Sequence, residues 1–388
     1  MRFIHIADLH LGFRSYEREK DFNPFFSLQF AAQYAIEKNI KLFIIAGDIF
    51  DRRDPPAFIQ RGFAHTVKEL VQNGVKVFIL TGNHEGAPNP MRDIHLDLYD
   101  ELEIEGVVLA KTIGYYRLNS LNIITVPYPF KRNLLSKDEY REKSEKEIGH
   151  IMNEKIFSGI DYFLKKIDRK FPTVLVAHLP LSEGEVGEEK YIYFAADVPV
   201  STEQLDRKEF SYIAMGHFHK MQIISTKKFG HPVVYPGSLD RINFGEETDK
   251  KGFFDVEISE SMKKTSFMFV ENPFARKFYT IRINNDKDID AIQWDRVKES
   301  IVRIILSDDL QNEKLFKKLV DRAKKEAKVF AGMEDRRALQ NNIVRSNMSL
   351  SISPEKAVEK YIKRQDSVFV KKHREEIFKR AISFLKEE

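Results

Sequence analysis

An α/β fold is what the patterning of this chain predicts, and three observations carry that reading. From Met1 to about Val270, short apolar runs with strand character alternate with helical patterns before the sequence turns strand-rich. Five of those runs, Arg2 to Ala7, Leu42 to Ala46, Val75 to Leu80, Thr173 to Val176 and Tyr212 to Met215, lead directly into a block rich in Asp, His or Asn. The blocks are Asp8-Leu9-His10, Gly47-Asp48 with Asp51-Arg52, Gly82-Asn83-His84-Glu85, Ala177-His178 and Gly216-His217-Phe218-His219. Ligands of α/β sheets bind beyond the carboxyl ends of parallel strands, so the five blocks are expected to meet in one site.

Taken in order, the spacing predicts a helix over Asn23 to Lys38 that buries Phe26, Phe30, Tyr34 and Ala35. A second helix is expected with Asp54 as its N-cap, Pro55 in its first turn and a stop at Asn73-Gly74. Its apolar stripe is Ile59, Phe63, Val67, Leu70 and Val71. The segment Val107 to Val126 and the runs Val233 to Tyr235, Gly252 to Ile258 and Ser266 to Val270 read as strands. The charged stretch Asp138 to Glu154 reads as a solvated helix.

Glu271-Asn272-Pro273 breaks the pattern. Residues 1–272 are expected to form the first domain and residues 273–340 a small α+β appendage. The appendage should hold strands at Phe278 to Ile283, Ile301 to Leu306 and Val329 to Met333, with a helix from Glu313 to Lys325. Residues 341–352 read as a polar linker and 353–388 as a two-helix tail. The second tail helix aligns Val370, Ile377, Phe378, Ala381, Ile382 and Leu385 on one stripe.

The chain has 388 residues, enough for two or three domains. Hydrophobic residues make up 42%, enough for a substantial core, yet no apolar run approaches membrane-spanning length. With no cysteine, disulfides, thiolate zinc sites and cysteine nucleophiles are excluded together. The net charge of +4 is a small difference between 63 basic and 59 acidic side chains, so it permits a nucleic-acid partner without requiring one. A strand that carries candidate ligands begins at the first residues, and on that reading the protein is expected in the cytoplasm.

Asp8 and His10, two apart at a strand end, are expected to point the same way on a pleated backbone and grip one ion. Asp48 follows the small-residue turn Ala46-Gly47, and its carboxylate can bridge two ions. Asn83 offers a neutral oxygen, His178 an imidazole, and His217 with His219 repeats the alternate spacing. Oxygen and imidazole donors without thiolate suit manganese, iron, zinc or a related divalent ion. The donors outnumber what one ion needs, so two ions are the expected count, as in two-metal phosphoester hydrolysis.

These blocks resemble the calcineurin-like metallophosphoesterases, whose order of motifs they follow. Ala46 to Arg53, Thr81 to Glu85, Gly216 to His219, Tyr235-Pro236-Gly237-Ser238 and Asn243-Phe244-Gly245-Glu246 are similar to the SbcD nuclease branch. The resemblance implies a four-layer β-sandwich flanked by helices, with a DNA-capping α+β domain and a C-terminal helical tail. It implies that Asp8, His10, Asp48 and His219 hold one metal and Asp48, Asn83, His178 and His217 the other. His84 is then the catalytic histidine, protonating the leaving 3′ oxygen or stabilising the charged phosphate. Asp51 stands where SbcD relatives carry His. With Arg52 as a substrate contact and Glu85, it resembles the phosphoprotein-phosphatase branch, in which such an Asp accepts the histidine N–H.

The resemblance further implies two manganese ions, a DNA substrate at duplex ends and single strands, and a homodimer. The dimer surface would lie on the helices Pro55 to Gln72 and Met91 to Leu102. The tail would dock on an SbcC-type, SMC-like ATPase. On the appendage, Lys317, Lys318, Lys324, Lys325, Arg336 and Arg337 are candidates to neutralise DNA phosphates. The expected activity is a manganese-dependent 3′-to-5′ exonuclease and endonuclease. The alternatives are a phosphoesterase acting on phosphoproteins or nucleotides, and a non-enzymatic DNA-end tether.

Overall fold

The apolar runs do become strands, and they divide between two sheets. A computed structural model describes residues 1–13, 16, 23–86, 94–131, 140, 143–185, 198–259, 264–306, 313–336, 378 and 380. The first sheet is built from β1 (Arg2–Ile6), β2 (Leu42–Ala46), β3 (Lys76–Leu80), β4 (Val107–Ala110), β11 (Gly252–Ile258) and β12 (Thr265–Glu271). Its order is β12-β11-β1-β2-β3-β4. The second holds β5 (Gly114–Leu118), β6 (Leu121–Val126), β7 (Thr173–His178), β8 (Phe210–Gly216), β9 (Gln222–Ser225) and β10 (Pro232–Tyr235), in the order β5-β6-β7-β8-β10-β9. Strands β1 to β4 are mutually parallel, as are β6, β7, β8 and β10.

The two sheets face one another across a core of Phe3, Ile44, Phe78, Leu80, Ile123, Val174, Val176, Tyr212, Ala214 and Phe254. Helices cover both outer faces, which makes four layers. On β2 the alternation is visible residue by residue: Ile44 faces the opposite sheet, while Phe43 and Ile45 face the helices. Strands buried on both faces read as continuous apolar runs, which is why these segments are legible as strands.

The covering helices depart from expectation in three ways. Helix α1 (Phe26–Glu37) buries Leu28, Ala31, Ala32 and Ala35, while Phe26 is 54% exposed. The small residues let the helix lie close on the sheet. Phe30 and Tyr34 flank it against Phe253 at ring distances of 5.9 and 5.3 Å. Helix α2 (Ala57–Gln72) starts after Pro56 instead of at Asp54. Pro56 disfavours helical geometry at Pro55, so the first turn is displaced; the Asp54 carboxylate lies 3.0 Å from His95 Nε2. The buried stripe of α2 is Ile59, Phe63, Thr66, Val67 and Leu70, with Val71 half-buried.

The charged stretch is also more than a solvated face. A helix spans Glu145–Leu164, opened by a Ser144–Glu147 capping box, and buries Ile148, Met152, Ile156, Ile160 and Leu164. These apolar positions recur every four residues among charges, so the density of charge hid them. Residues 138, 139, 141 and 142 of that expected helix lie outside the described residues.

Beyond Pro273, β13 (Phe278–Ile283), β14 (Ile301–Leu306) and β15 (Val329–Asp335) form a separate parallel sheet with its own core of Ile281, Ile283, Val302, Ile304, Leu306 and Leu319. The helix Glu313–Glu326 covers it. Trp294 packs into this core, with the Arg322 guanidinium 3.7 Å from its ring centroid. The joint is pinned: the buried Asn272 amide donates to Ser27 Oγ and to the Leu239 carbonyl, both at 2.8 Å. The expected linker and tail lie outside the described residues except Phe378 and Arg380, which are helical. No helix among the described residues is long and apolar enough to cross a membrane.

Candidate metal centre

The five blocks converge where the carboxyl ends of β1, β2 and β3 meet those of β7 and β8, so both sheets contribute. How the side chains are aimed differs from expectation. Strand β1 stops at Ile6, and Asp8 and His10 sit at φ 52° and 42°, outside any pleat. Asp48 (φ 52°) and His217 (φ 110°) share this left-handed region, which non-glycine residues rarely occupy. Neighbouring loops hold the strained turns: Asp8 N–H donates to Gly47 O at 3.0 Å and His10 N–H to Asp48 O at 3.1 Å. Strain of about 1–3 kcal/mol per residue persists only where surroundings over-determine the backbone.

Close approach completes the cradle. A Cβ on Gly47 would lie 2.1 Å from His178 Nδ1, and one on Gly216 would lie 2.0 Å from the Ala46 carbonyl oxygen. Glycine is required at both positions.

Within this cradle the predicted residues fall on two sides. On one, His10 Nε2 and His219 Nε2 are 3.0 Å apart. On the other, Asn83 Oδ1 lies 3.0 Å from His178 Nε2 and 3.1 Å from His217 Nδ1. The carboxylates lie between: Asp48 Oδ2 is 3.3 Å from His178 Nε2 and 3.9 Å from His10 Nε2. Asp8 accepts the His217 backbone N–H at 3.0 and 3.1 Å. Among the described residues three overlapping groups are close enough to hold a cation: Asp8 with His10 and His219, His10 with Asp48 and His84, and Asp8 with Asp48 and His178.

The electrostatics suit bound cations. Burial pushes the Asp8 carboxyl up, and burial together with the facing His219 holds His10 well below the usual imidazole range. At Asp48 burial acts upward but is outweighed by His178, His84 and His10, which hold it well below the carboxylate range. Burial likewise opposes charge on His178, yet Asp48 and Asp8 raise it to about 9. Two imidazole edges facing each other beside two buried carboxylates form a donor set that fits divalent ions of the manganese, iron and zinc type.

His84 is placed on the His10 side, with ring centroids 4.6 Å apart, while Asn83 faces His178. The expectation that the Asp51 carboxylate accepts the His84 N–H is corrected. The partner of His84 Nδ1 is the Asp51 backbone carbonyl, at 2.6 Å. A carbonyl only accepts, so Nδ1 carries the proton and Nε2 is the free edge. The Asp51 carboxylate instead lies 3.9 Å from the exposed Arg52 side chain, and burial raises its pKa.

Three further residues shape the site without a role that their sequence context assigns. Glu85 is buried, and its carboxylate accepts the N–H groups of Asp48, Phe50 and Gly82 at 3.1, 2.9 and 2.8 Å, tying the β2 loop to the β3 loop. Burial and the nearby Asp48 raise it to about 7. Glu246 accepts from His219 Nδ1 at 3.1 Å; although burial opposes ionisation, His219 and Lys251 hold it down at about 2. Lys251, 1% exposed, ion-pairs with Glu246 at 2.8 Å. The signal available for Glu246 is its motif Asn243 to Glu246; Lys251 belongs to no motif. On the appendage, Lys317, Lys318, Lys324 and Lys325 lie on one helix, Arg336 pairs with Glu334, and Arg337 lies outside the described residues.

Comparison with known proteins agrees with this geometry. The calcineurin-like phosphoesterase family profile matches residues 1–221. The DNA double-strand break repair protein Mre11 of Archaeoglobus fulgidus is 26% identical over 300 residues, 75% of this chain and 61% of that protein. Its namesake from Methanocaldococcus jannaschii is 27% identical over 305 residues, 74% of this chain and 70% of that protein. The SbcD component of the SbcCD nuclease of Escherichia coli K12 is 25% identical over 262 residues, 63% of this chain and 62% of that protein. The matched part thus spans between three-fifths and seven-tenths of these relatives' own lengths. With more than half of its length matched by the family profile and the motif residues gathered in one cradle, the chain belongs to the calcineurin-like phosphoesterases.

Proposed function

We propose that this chain is a metal-dependent DNA nuclease that hydrolyses phosphodiester bonds in break repair. The supporting observation is the convergence of Asp8, His10, Asp48, Asn83, His178, His217 and His219 into one largely buried two-sided donor set. The relatives named for DNA break repair and nuclease activity support this choice of substrate class. In this reading Asp8, His10 and His219 hold one ion, Asn83, His178 and His217 the other, and Asp48 serves both. Two divalent ions held there, manganese in this proposal, would neutralise charge on the phosphate and make a water more acidic.

The chain's own contribution begins with His84. With Nδ1–H held by the Asp51 carbonyl, its Nε2 is the edge that delivers a proton to the leaving 3′ oxygen or binds the charged phosphate. Asp51 acts through its backbone, and the exposed Arg52 next to it is available to a substrate phosphate. Residues 273–340 are proposed as a DNA-capping domain whose lysines contact backbone phosphates of duplex ends or single strands. The activity proposed is 3′-to-5′ exonucleolytic and endonucleolytic, in the cytoplasm.

A homodimer is proposed through α2 and α3 (Asp97–Glu101), where a largely apolar cavity of about 450 Å³ opens beside Leu98 and Leu102, 56% and 68% exposed. Residues 353–388 are proposed to bind an SbcC-type ATPase. The phosphoprotein or nucleotide phosphoesterase alternative rests partly on Asp51 and Glu85, yet His84 Nδ1 bonds the Asp51 backbone carbonyl and the Glu85 carboxylate accepts backbone N–H groups.

The test is cleavage of linear duplex and single-stranded DNA with manganese, magnesium or chelator. Manganese-dependent cleavage is expected. His84→Ala should retain both ions and lose activity by roughly 10²–10⁴-fold, the usual contribution of a general acid. Loss of ions in that variant would move His84 into the ligand set. Hydrolysis of a phosphopeptide or nucleotide with no action on DNA would overturn the nuclease reading.

A further inference from the structure

The chain between β10 and β11 touches the metal centre on one side and the appendage on the other, and it does so through consecutive residues. Glu246, 6% exposed, accepts from His219 Nδ1 at 3.1 Å. With the Glu246 carboxylate oxygen as acceptor, Nδ1 of His219 carries a proton and its Nε2 edge faces His10 at 3.0 Å. Lys251 Nζ braces the arrangement, donating to Glu246, to the His219 carbonyl and to Ser238 Oγ at 2.8, 2.9 and 2.8 Å. All three of its protons are used.

Glu247 faces the other way. Its carboxylate accepts from the backbone N–H of Thr280 at 3.1 Å and from Thr280 Oγ1 at 2.6 Å, both on appendage strand β13. Phe244, at the start of the same 3-10 turn, meets Phe278 edge-on with ring centroids 4.9 Å apart, and the Arg303 guanidinium of β14 lies 4.4 Å from its ring. Arg241 closes the joint, donating to the carbonyls of Glu246, Asp249 and Arg276 at 3.1, 2.7 and 2.9 Å. The His178 ring is held differently: its Nδ1 donates to the Ala46 carbonyl at 2.8 Å, entirely within the sandwich.

We propose that Glu246 is a positioning residue for His219 and that the appendage, through Phe278, Thr280 and Arg303, holds the turn that carries it. The appendage is thereby a structural part of the His10/His219 side of the metal centre and not of the His178/His217 side. This inference rests on the two-metal reading given above. Groups that orient a metal ligand typically contribute 10–100-fold in affinity, so the effect is measurable without any cleavage assay.

The experiment is manganese titration of the full chain by calorimetry and electron paramagnetic resonance. Wild type should bind two ions; fewer than two would defeat the two-metal reading itself. Glu246→Gln, and separately the double variant Thr280→Val with Arg303→Met, should each weaken one site by roughly 10-fold or more and leave the other unchanged. Thr280→Ser, which keeps the hydroxyl donor, should bind like wild type. In a His219→Ala background the appendage substitutions should change nothing, which identifies the affected site. If wild type binds two ions and the appendage variants keep both affinities, or lose both equally, the coupling is absent and the proposal falls. Should the double variant fail to fold, Glu246→Gln within the sandwich decides the role of Glu246, and Arg303→Met alone decides that of the appendage.

Discussion

The two sides of the centre are built by different means. The His178 side is made from main chain: Gly47 and Gly216 press the β2 and β8 loops together, and the Ala46 carbonyl sets the ring. The His219 side is made from side chains: Glu246 and Lys251 hold the ring by a hydrogen bond and an ion pair, and the turn that carries Glu246 is tied to the third sheet through Glu247 and Thr280. A main-chain cradle is rigid because it has no rotamers to order and no room to move. A side-chain relay works only while each partner is present, because removing one leaves buried charge unpaired.

The largest expected effect removes what both sides share. Asp48 lies within 3.3 Å of His178 Nε2 and 3.9 Å of His10 Nε2, and its Oδ1 accepts the His84 backbone N–H at 2.9 Å. Asp48→Ala should abolish binding of both ions, as read by elemental analysis, and cleavage with it. One ion retained at full affinity would show that the carboxylate serves a single side.

Smaller in scope, Gly47→Ala should damage one side only. Its Cβ would sit 2.1 Å from His178 Nδ1 at a φ of +94°, so either the ring or the loop must move. The expected result is loss of the ion on the His178 side, with the His219-side ion still bound in a manganese titration. An unchanged pair of affinities would mean that the cradle yields more than its packing implies.

The smallest effect probes the frame beneath both sides. His5, on β1 below Asp8, is fully buried with Nδ1 3.1 Å from Tyr212 Oη of β8, and burial lowers its pKa to about 3. A histidine depressed in the fold contributes stability that is present above its unfolded pKa near 6.5 and lost as pH falls toward 3. By pH 4 that loss is about 3 kcal/mol. In chelator, thermal unfolding followed from pH 7 to pH 4 should therefore fall more steeply for wild type than for His5→Leu. Parallel slopes would show that His5 takes up its proton without penalty.

Much of this architecture is determined locally. Strands buried on both faces must be apolar throughout, so their positions can be read directly, and the ligand blocks follow because each sits at a strand end. Asn83 and His84, adjacent in one block, fall on opposite sides, and Asp48 lies between them. Even the third sheet, with strands beginning at Phe278, Ile301 and Val329, is visible from its runs.

What only the tertiary structure decided are the contacts between distant segments. Asp8 and His10 are aimed by hydrogen bonds to Gly47 and Asp48, so the pleat expected from their spacing never forms. His84 is turned by a backbone carbonyl, an acceptor every residue carries, so no side chain in the sequence could mark it. Glu85 and Lys251 are chemically ordinary until folding removes water from them and leaves backbone N–H groups, a carbonyl and a carboxylate as their partners. Residue type and short-range period are properties of the chain itself. Burial of a charge, and the partner that makes it tolerable, exist only once segments far apart in the chain have met.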